Sequence, residues 1–396
     1  MLTATAGVTL PTAIIGSLPR PRWYTESLGR RSFLEAMVDA NFREQYTDVV
    51  SVYLRDQELA GLDIVTDGDS RFAPDVGGQS WTGYPTQHMD GFERDRPLLA
   101  RAGATGVSYP RGHILHDYLE ARVVPRIVGP VGPGELQYAE LWKTAQRLTT
   151  RPVKFGTVTP ELVAFSVEDA YYGDLPSRIM AISDAFNAEL HDLADAGCKV
   201  IQLEEPQIHL LAAKGIVDDV ITPKLMLEVF NNTVKGLRDK AEVWCHTCWG
   251  NPSQQRMFDK VQSYLPALEI LAQVDADVLT FETRSSGPAE LEAIGRHLTD
   301  DTDKKVGIGV IDHHTLQVES PEEVADLARA ALRSIPAERL VLCTDCGMGR
   351  EGMSRRHATY KMVSLVLGAN LVRLELGVPP AECLAAEGRY SLIRSG

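Results

Sequence analysis

The chain has no apolar run near the roughly 20 residues that a membrane-spanning helix needs, so it does not read as a membrane protein. It also lacks a basic stretch with interleaved aromatics. Lys+Arg 40 against Asp+Glu 54 leaves a formal charge of −14, a field that repels nucleic acid and other polyanions. Cysteine is sparse, with six residues in 396, too few for a disulfide scaffold, so those that matter should be reduced thiols or metal ligands. The first residues, MLTATAGVTLPT, lack the charged-then-apolar layout of a secretory leader, and the expected location is the cytoplasm. Repeats and low-complexity tracts are absent as well.

What is present is regular alternation. Apolar runs bounded by turn residues predict strands at Thr12–Ser17, Asp63–Thr66, Val153–Val158, Lys199–Leu203, Glu242–His246, Asp277–Glu282, Val306–Ile311 and Leu340–Thr344. Amphipathic stretches between them predict helices at Arg43–Leu59, Pro176–Ala196, Pro223–Asp239, Pro252–Leu271, Pro288–Leu298 and Pro321–Ser334. Thr222-Pro223 and Ser320-Pro321 each place a capping residue before a proline in the first turn. Eight strands alternating with helices predict an α/β fold, a single TIM (β/α)8 barrel spanning 1–396. Residues 71–150 break the pattern with Gly, Pro and aromatics and a hairpin signal near Arg122–Val131. They are expected to form an insertion after strand 2, a lid over the barrel mouth. Trp81, Tyr84 and Phe92 in it would suit an apolar alkyl donor.

In such barrels the chemistry sits at the C-terminal ends of the strands. Here those ends carry His246-Thr247-Cys248, Glu282, Asp312-His313-His314 and Asp345-Cys346-Gly347. Imidazole, thiolate and carboxylate converging on one rim suit tetrahedral zinc, and His246, Cys248, Glu282 and Cys346 are the expected ligands. A thiol coordinated to zinc is deprotonated at neutral pH, so S-alkylation of a small-molecule thiol is the natural reaction. Cys343 and Cys346 form a C-x-x-C, but one lies within the strand and the other past it, which disfavours a redox pair. Cys245 should face away from His246, and Cys198 and Cys383 read as structural. A purely structural zinc in a binding protein stays open on ligand count. A metal-free decarboxylase-like barrel would leave the His and Cys ligands unexplained.

These motifs resemble the catalytic barrel of the cobalamin-independent methionine synthase family along nearly the whole chain. Ile15-Gly16-Ser17, Asp67-Gly68-Asp69, Gln202-Leu203-Glu204-Glu205-Pro206, His246-x-Cys248, Thr280-Phe281-Glu282-Thr283, Gly309-Val310-Ile311-Asp312-His313-His314 and Asp345-Cys346-Gly347 carry the resemblance in order. It implies zinc on His246, Cys248, Glu282 and Cys346, with Glu282 yielding to the incoming thiolate. It makes His314 the catalytic histidine, puts Ser17 at the substrate carboxylate, and has Asp69 and Glu204 binding the ammonium group.

The chain departs from the family in exchanging the lengths of the two amine-binding acids, Asp69 and Glu204. Phe165 stands where the family has a folate-stacking Trp. The chain also starts directly at the catalytic barrel, and together these argue against methyltetrahydrofolate as donor. The resemblance extends to epoxyalkane:coenzyme M transferase, whose zinc thiolate opens an epoxide and whose sulfonate would suit Arg20, Arg22 and Arg71. Methyl transfer to homocysteine or a close analogue ranks first and epoxide opening second. The expected partners are a small-molecule thiol and an alkyl donor, and a homo-oligomer is compatible with the sequence.

Overall fold

The computed structural model describes residues 2–29, 31–72, 79–93, 125–214, 219–249, 263–300, 302–349 and 353–387. Among the described residues ten strands appear in chain order: β1 (Val65–Thr66), β2 (Asp90–Phe92), β3 (Arg126–Gly132), β4 (Val153–Val158), β5 (Glu168–Asp169), β6 (Val200–Glu204), β7 (Glu242–Thr247), β8 (Val278–Phe281), β9 (Lys305–Ile311) and β10 (Leu340–Thr344). Seven of them, in the order β1-β4-β6-β7-β8-β9-β10, make one parallel sheet.

The two edges of that sheet are joined by the Pro11–Ser17 segment. Thr12 O accepts from Asp63 N and Ile64 N on one side, while Leu342 N donates to Pro11 O and Ala13 N to Leu342 O on the other. The first expected strand is therefore a single ladder bridge, Thr12 to Leu342, and not a continuous strand. Side chains take over the remaining bonds: Thr12 N and Oγ1 both donate to Asp63 Oδ2 at 2.8 Å, and Ile15 N donates to Thr344 Oγ1 at 2.9 Å. The other seven strands lie where the apolar runs place them.

Alternation along the strands sorts the side chains into two cores. Ala13, Ile15, Ile64, Val200, Trp244, Val278, Val341 and Cys343 form one buried cluster inside the curled sheet. Val243, Cys245, Leu203 and Leu279 point outward into the larger core beneath the helices. Along β7 the residues alternating with Val243 and Cys245, namely Glu242, Trp244 and His246, thus climb the interior from floor to rim. The floor is closed by the chain's own start, where Thr3, Ala4 and Thr5 donate backbone N–H to Glu242 Oε2 at 3.0, 3.1 and 3.0 Å. Trp244 Nε1 donates to the other oxygen of Glu242 at 2.8 Å, and Lys305 Nζ donates to Thr5 O at 2.8 Å.

The helices Ala40–Ala60, Leu175–Asp195 and Pro321–Ala331 match their expected spans within a few residues. Both proline-led starts are capped: Thr222 Oγ1 accepts from Leu225 N, and Ser320 with Glu323 forms a reciprocal capping box. The expected Pro223–Asp239 helix instead stops at Thr233, because Gly236 takes φ 77 and starts a separate turn at Leu237–Asp239. The expected Pro252–Leu271 helix falls largely outside the described residues, and its remainder is a pair of short turns over Leu265–Leu271. Sequence periodicity did not single out the long helix Arg355–Glu375, which packs on Pro321–Ala331 and Ala40–Ala60.

Between β1 and β4 lie a helix Gln79–His88, strands β2 and β3, and a helix Tyr138–Gln146. β3 pairs antiparallel with β2 and parallel with β5, giving a small separate sheet. The first part of the expected Arg122–Val131 hairpin lies outside the described residues, as does the side chain of Trp81. Tyr84 and Phe92 are buried in the main core and are not presented to solvent. Among the described residues, no helix is long and apolar enough to cross a membrane.

Candidate metal and substrate site

His246 and Cys248 stand at the end of β7 and just beyond it, and Cys346 just beyond β10. The ligand atoms of these three residues all lie within 4.8 Å of one another, and all three residues are buried. His246 is fixed by Thr280 on the neighbouring strand, whose Oγ1 meets Nδ1 at 2.8 Å. A hydrogen on Nδ1, donated to Thr280, leaves Nε2 with its lone pair facing the cysteines. Among the described residues Nε2 has no hydrogen-bond partner. Burial, helped by the Lys154 charge, holds this imidazole well below its ordinary pKa and hence neutral, the form that binds a metal. The Cys346 thiol is pushed well above its ordinary value, first by its hydrogen bond with Cys248 and then by burial. Two thiols crowded against a neutral imidazole with an orphaned nitrogen suit zinc, and the residues present fit it.

Glu282 falls outside that trio. Its Oε2 accepts from Trp249 N at 2.9 Å, its Oε1 accepts from Ser285 Oγ at 3.0 Å, and His314 Nε2 stands 3.8 Å from Oε1. Burial raises its pKa, against the Trp249 N–H and the His314 charge. Glu282, His313 and His314 form a second group of converging ligand atoms. His314 Nδ1 meets Asp312 Oδ1 at 2.9 Å, which aims Nε2 toward Glu282. Burial alone would raise the Asp312 carboxyl, but the hydrogen bonds from the His314 ring and backbone outweigh it and hold the pKa at about 2.

Asp345 is the brace that sequence reasoning left without a role. Its carboxylate accepts from Thr283 N, Arg284 N and Ser285 N at 2.9, 2.9 and 2.7 Å, so it pins the loop that carries Glu282. A Cβ at Gly309 would lie 1.9 Å from Asp345 Oδ1, which is why that position has no side chain. The signal available in the sequence was the Gly in the middle of β9 and the acid just past β10.

Ser17 lies against the loop after Cys346: Met348 N donates to Ser17 O at 2.8 Å, and a Cβ at Gly349 would meet Ser17 Oγ at 2.6 Å. Asp69, at φ 55, is paired with Arg71 at 3.1 Å. Arg71 is itself buried, donates to Gly156 O at 2.5 Å, and lies over the Phe72 and Phe155 rings. Glu204 Oε2 stands 3.7 Å from His246 Nε2, while its Oε1 accepts from Gln202 Nε2 at 2.7 Å. Phe165 ends the short helix that follows β4, and the residue is 39% exposed. Lys154, the second residue of β4, was missed; a lone lysine inside the apolar run Val153–Val158 was its sequence signal.

The fold and this rim define a parallel β/α barrel with a thiol- and imidazole-lined pocket able to hold a metal at its C-terminal mouth. Residues 105–367 match the catalytic domain of the cobalamin-independent synthase family, and the chain belongs to that cobalamin-independent methionine synthase family. A methionine synthase from Saccharolobus solfataricus is 28% identical over 368 residues, 93% of this chain and 96% of the relative. One from Sulfurisphaera tokodaii is 28% identical over 369 residues, covering 93% and 94%. The B12-independent methionine synthase of Shewanella sp. W3-18-1, solved in complex with selenomethionine, superposes with TM-score 0.71 at 26% identity, covering 93% of this chain and 99% of that one. A putative vitamin-B12 independent methionine synthase from Listeria monocytogenes shares the fold at TM-score 0.63 and 17% identity, covering 91% and 96%.

Proposed function

We propose that this protein transfers a methyl group to the sulfur of homocysteine or a close amino-acid thiol, with zinc held by His246, Cys248 and Cys346. The observation that carries the reading is the buried trio of ligand atoms within 4.8 Å at the barrel rim. When bound there, zinc supplies the Lewis acidity that keeps a substrate thiol deprotonated at neutral pH.

The chain's own residues do the rest. Glu282, held by Trp249 N and Ser285 beside the trio, is the fourth ligand when no thiol is present. His314, oriented by Asp312, moves a proton at its Nε2 on the donor side. Glu204 accepts the substrate ammonium group, because the charge of Asp69 is already met by Arg71. Ser17 binds the substrate carboxylate beside the Cys346 loop, and Phe165 at the mouth contacts the donor. That the Shewanella relative holds selenomethionine, an amino acid with a methylated chalcogen, supports an amino-acid thiol over a sulfonate. So do the arginines: Arg20 donates to Tyr24 O, Phe72 O and Glu26 O, and Arg71 to Asp69 and Gly156 O, rather than projecting as a sulfonate grip.

Zinc K-edge absorption on the purified protein, with homocysteine or coenzyme M added separately, tests the reading. One added sulfur neighbour with homocysteine alone is the expected result. The same gain with coenzyme M alone would move the assignment to epoxide opening, and no gain with either thiol would make the zinc structural.

A further inference from the structure

Glu204 has two equivalent oxygens, and the carboxylate plane is set so that one, Oε2, faces His246 and the rim while the other is held from below. The tilt of that plane is set by Gln202. Gln202 lies two residues earlier on β6, on the same interior face, and its Nε2 donates to Glu204 Oε1 at 2.7 Å. A glutamine amide can turn over and present its oxygen instead, which would repel the carboxylate. Lys154, across the strand pair on β4, removes that freedom: its Nζ donates to Gln202 Oε1 and, at 2.8 Å, to Ile14 O. Burial lowers the Lys154 pKa only to about 8, so at neutral pH the group is an ammonium, with three donors and no acceptor. Its remaining side is closed by the Trp244 ring, 4.6 Å from Nζ. An ammonium facing Gln202 requires Oε1 on the lysine side, and therefore Nε2 on the Glu204 side.

We infer that Lys154 and Gln202 are positioning residues that lock the Glu204 carboxylate to receive the ammonium group of an α-amino-acid thiol, and so set the selectivity for amino-acid over simple thiols. The inference rests on Glu204 as the ammonium acceptor. It also accounts for the longer acid at this position: a glutamate in β6 reaches the rim while keeping one oxygen within range of its neighbour two residues below, whereas an aspartate is one methylene shorter.

The experiment is isothermal calorimetry on the purified zinc-loaded protein with two probes, homocysteine and 4-mercaptobutanoate, which lacks the amino group. Lys154→Met, Gln202→Met and the double variant are compared with the unaltered chain after thermal unfolding has confirmed that each folds. The unaltered protein should prefer homocysteine by about 10- to 100-fold, the worth of a charge-assisted hydrogen bond. Each single variant should reduce the preference to about threefold or less, with the affinity for 4-mercaptobutanoate unchanged. The double variant should lose no more than either single one, since both act through one chain of bonds. If Lys154→Met does not fold, the ratio for Gln202→Met decides. A preference kept by the folded variants, or additive losses in the double variant, overturns the relay. No preference in the unaltered protein instead overturns Glu204 as the ammonium acceptor, and the inference falls with it.

Discussion

At the scale of single residues the site is a set of side chains whose competing partners have been removed. His246 keeps Nδ1 on Thr280 while its Nε2 has no hydrogen-bond partner among the described residues, and Cys346 has Cys248 as its hydrogen-bond partner. Replacing Cys346 with alanine should therefore abolish tight zinc binding and methyl transfer together, read by metal analysis after dialysis and by product formation. Full turnover in that variant would sink the zinc reading. His314 stands apart from the trio, so His314→Ala should keep its zinc while turnover falls by about 10²–10⁴-fold, the usual worth of a placed general acid or base. Loss of zinc in His314→Ala would instead make it a ligand. Arg71 shows the opposite economy: a cation expected at the mouth is spent on Asp69, Gly156 O and a nest of rings.

At the scale of elements, the turns that follow β4 and β6 share a buried acid pair behind the barrel wall. Burial pushes the Glu161 carboxyl up to about 7, and Glu205, buried beside it and facing its charge, is raised well above the ordinary range. A carboxyl raised in the folded state stabilises the fold fully below its unfolded value near 4.5, and that contribution is lost as pH rises through about 7. Glu161→Gln mimics the protonated form, so the variant should match the unaltered chain at about pH 4 and exceed it at about pH 8 by about 1–3 kcal/mol in thermal unfolding. A variant less stable at pH 8 would mean the pair is held ionised. Periodicity exposed seven strands and the His and Cys residues that converge at the rim, because strand ends are marked by turn residues and those side chains follow them directly. It could not expose Glu161, Glu205 or Asp345, since what makes each of them matter is a neighbour from a distant strand or loop. The same applies to the first strand, where Thr12 and Thr344 hydroxyls replace the backbone ladder that an apolar run implies.

At the scale of the whole molecule, the barrel is stoppered at one end and chemically armed at the other. The stopper is the Thr3–Thr5 segment on Glu242, a carboxylate fully buried at the foot of β7. Removing residues 1–6 would leave that charge with Trp244 Nε1 and strip Lys305 of its carbonyl. A loss of about 3–5 kcal/mol is expected from the urea midpoint. An unchanged midpoint would show that water serves Glu242 equally well. Trp244 lies midway along β7 between the stopper and His246, its indole N–H on Glu242 and its ring facing the Lys154 ammonium. The protein thus carries a native fluorophore mounted between an anion and a cation, one layer beneath the His246 imidazole. With Trp23, Trp81, Trp142 and Trp249 replaced by phenylalanine, its emission colour becomes a built-in voltmeter for the barrel interior, readable without attaching any dye.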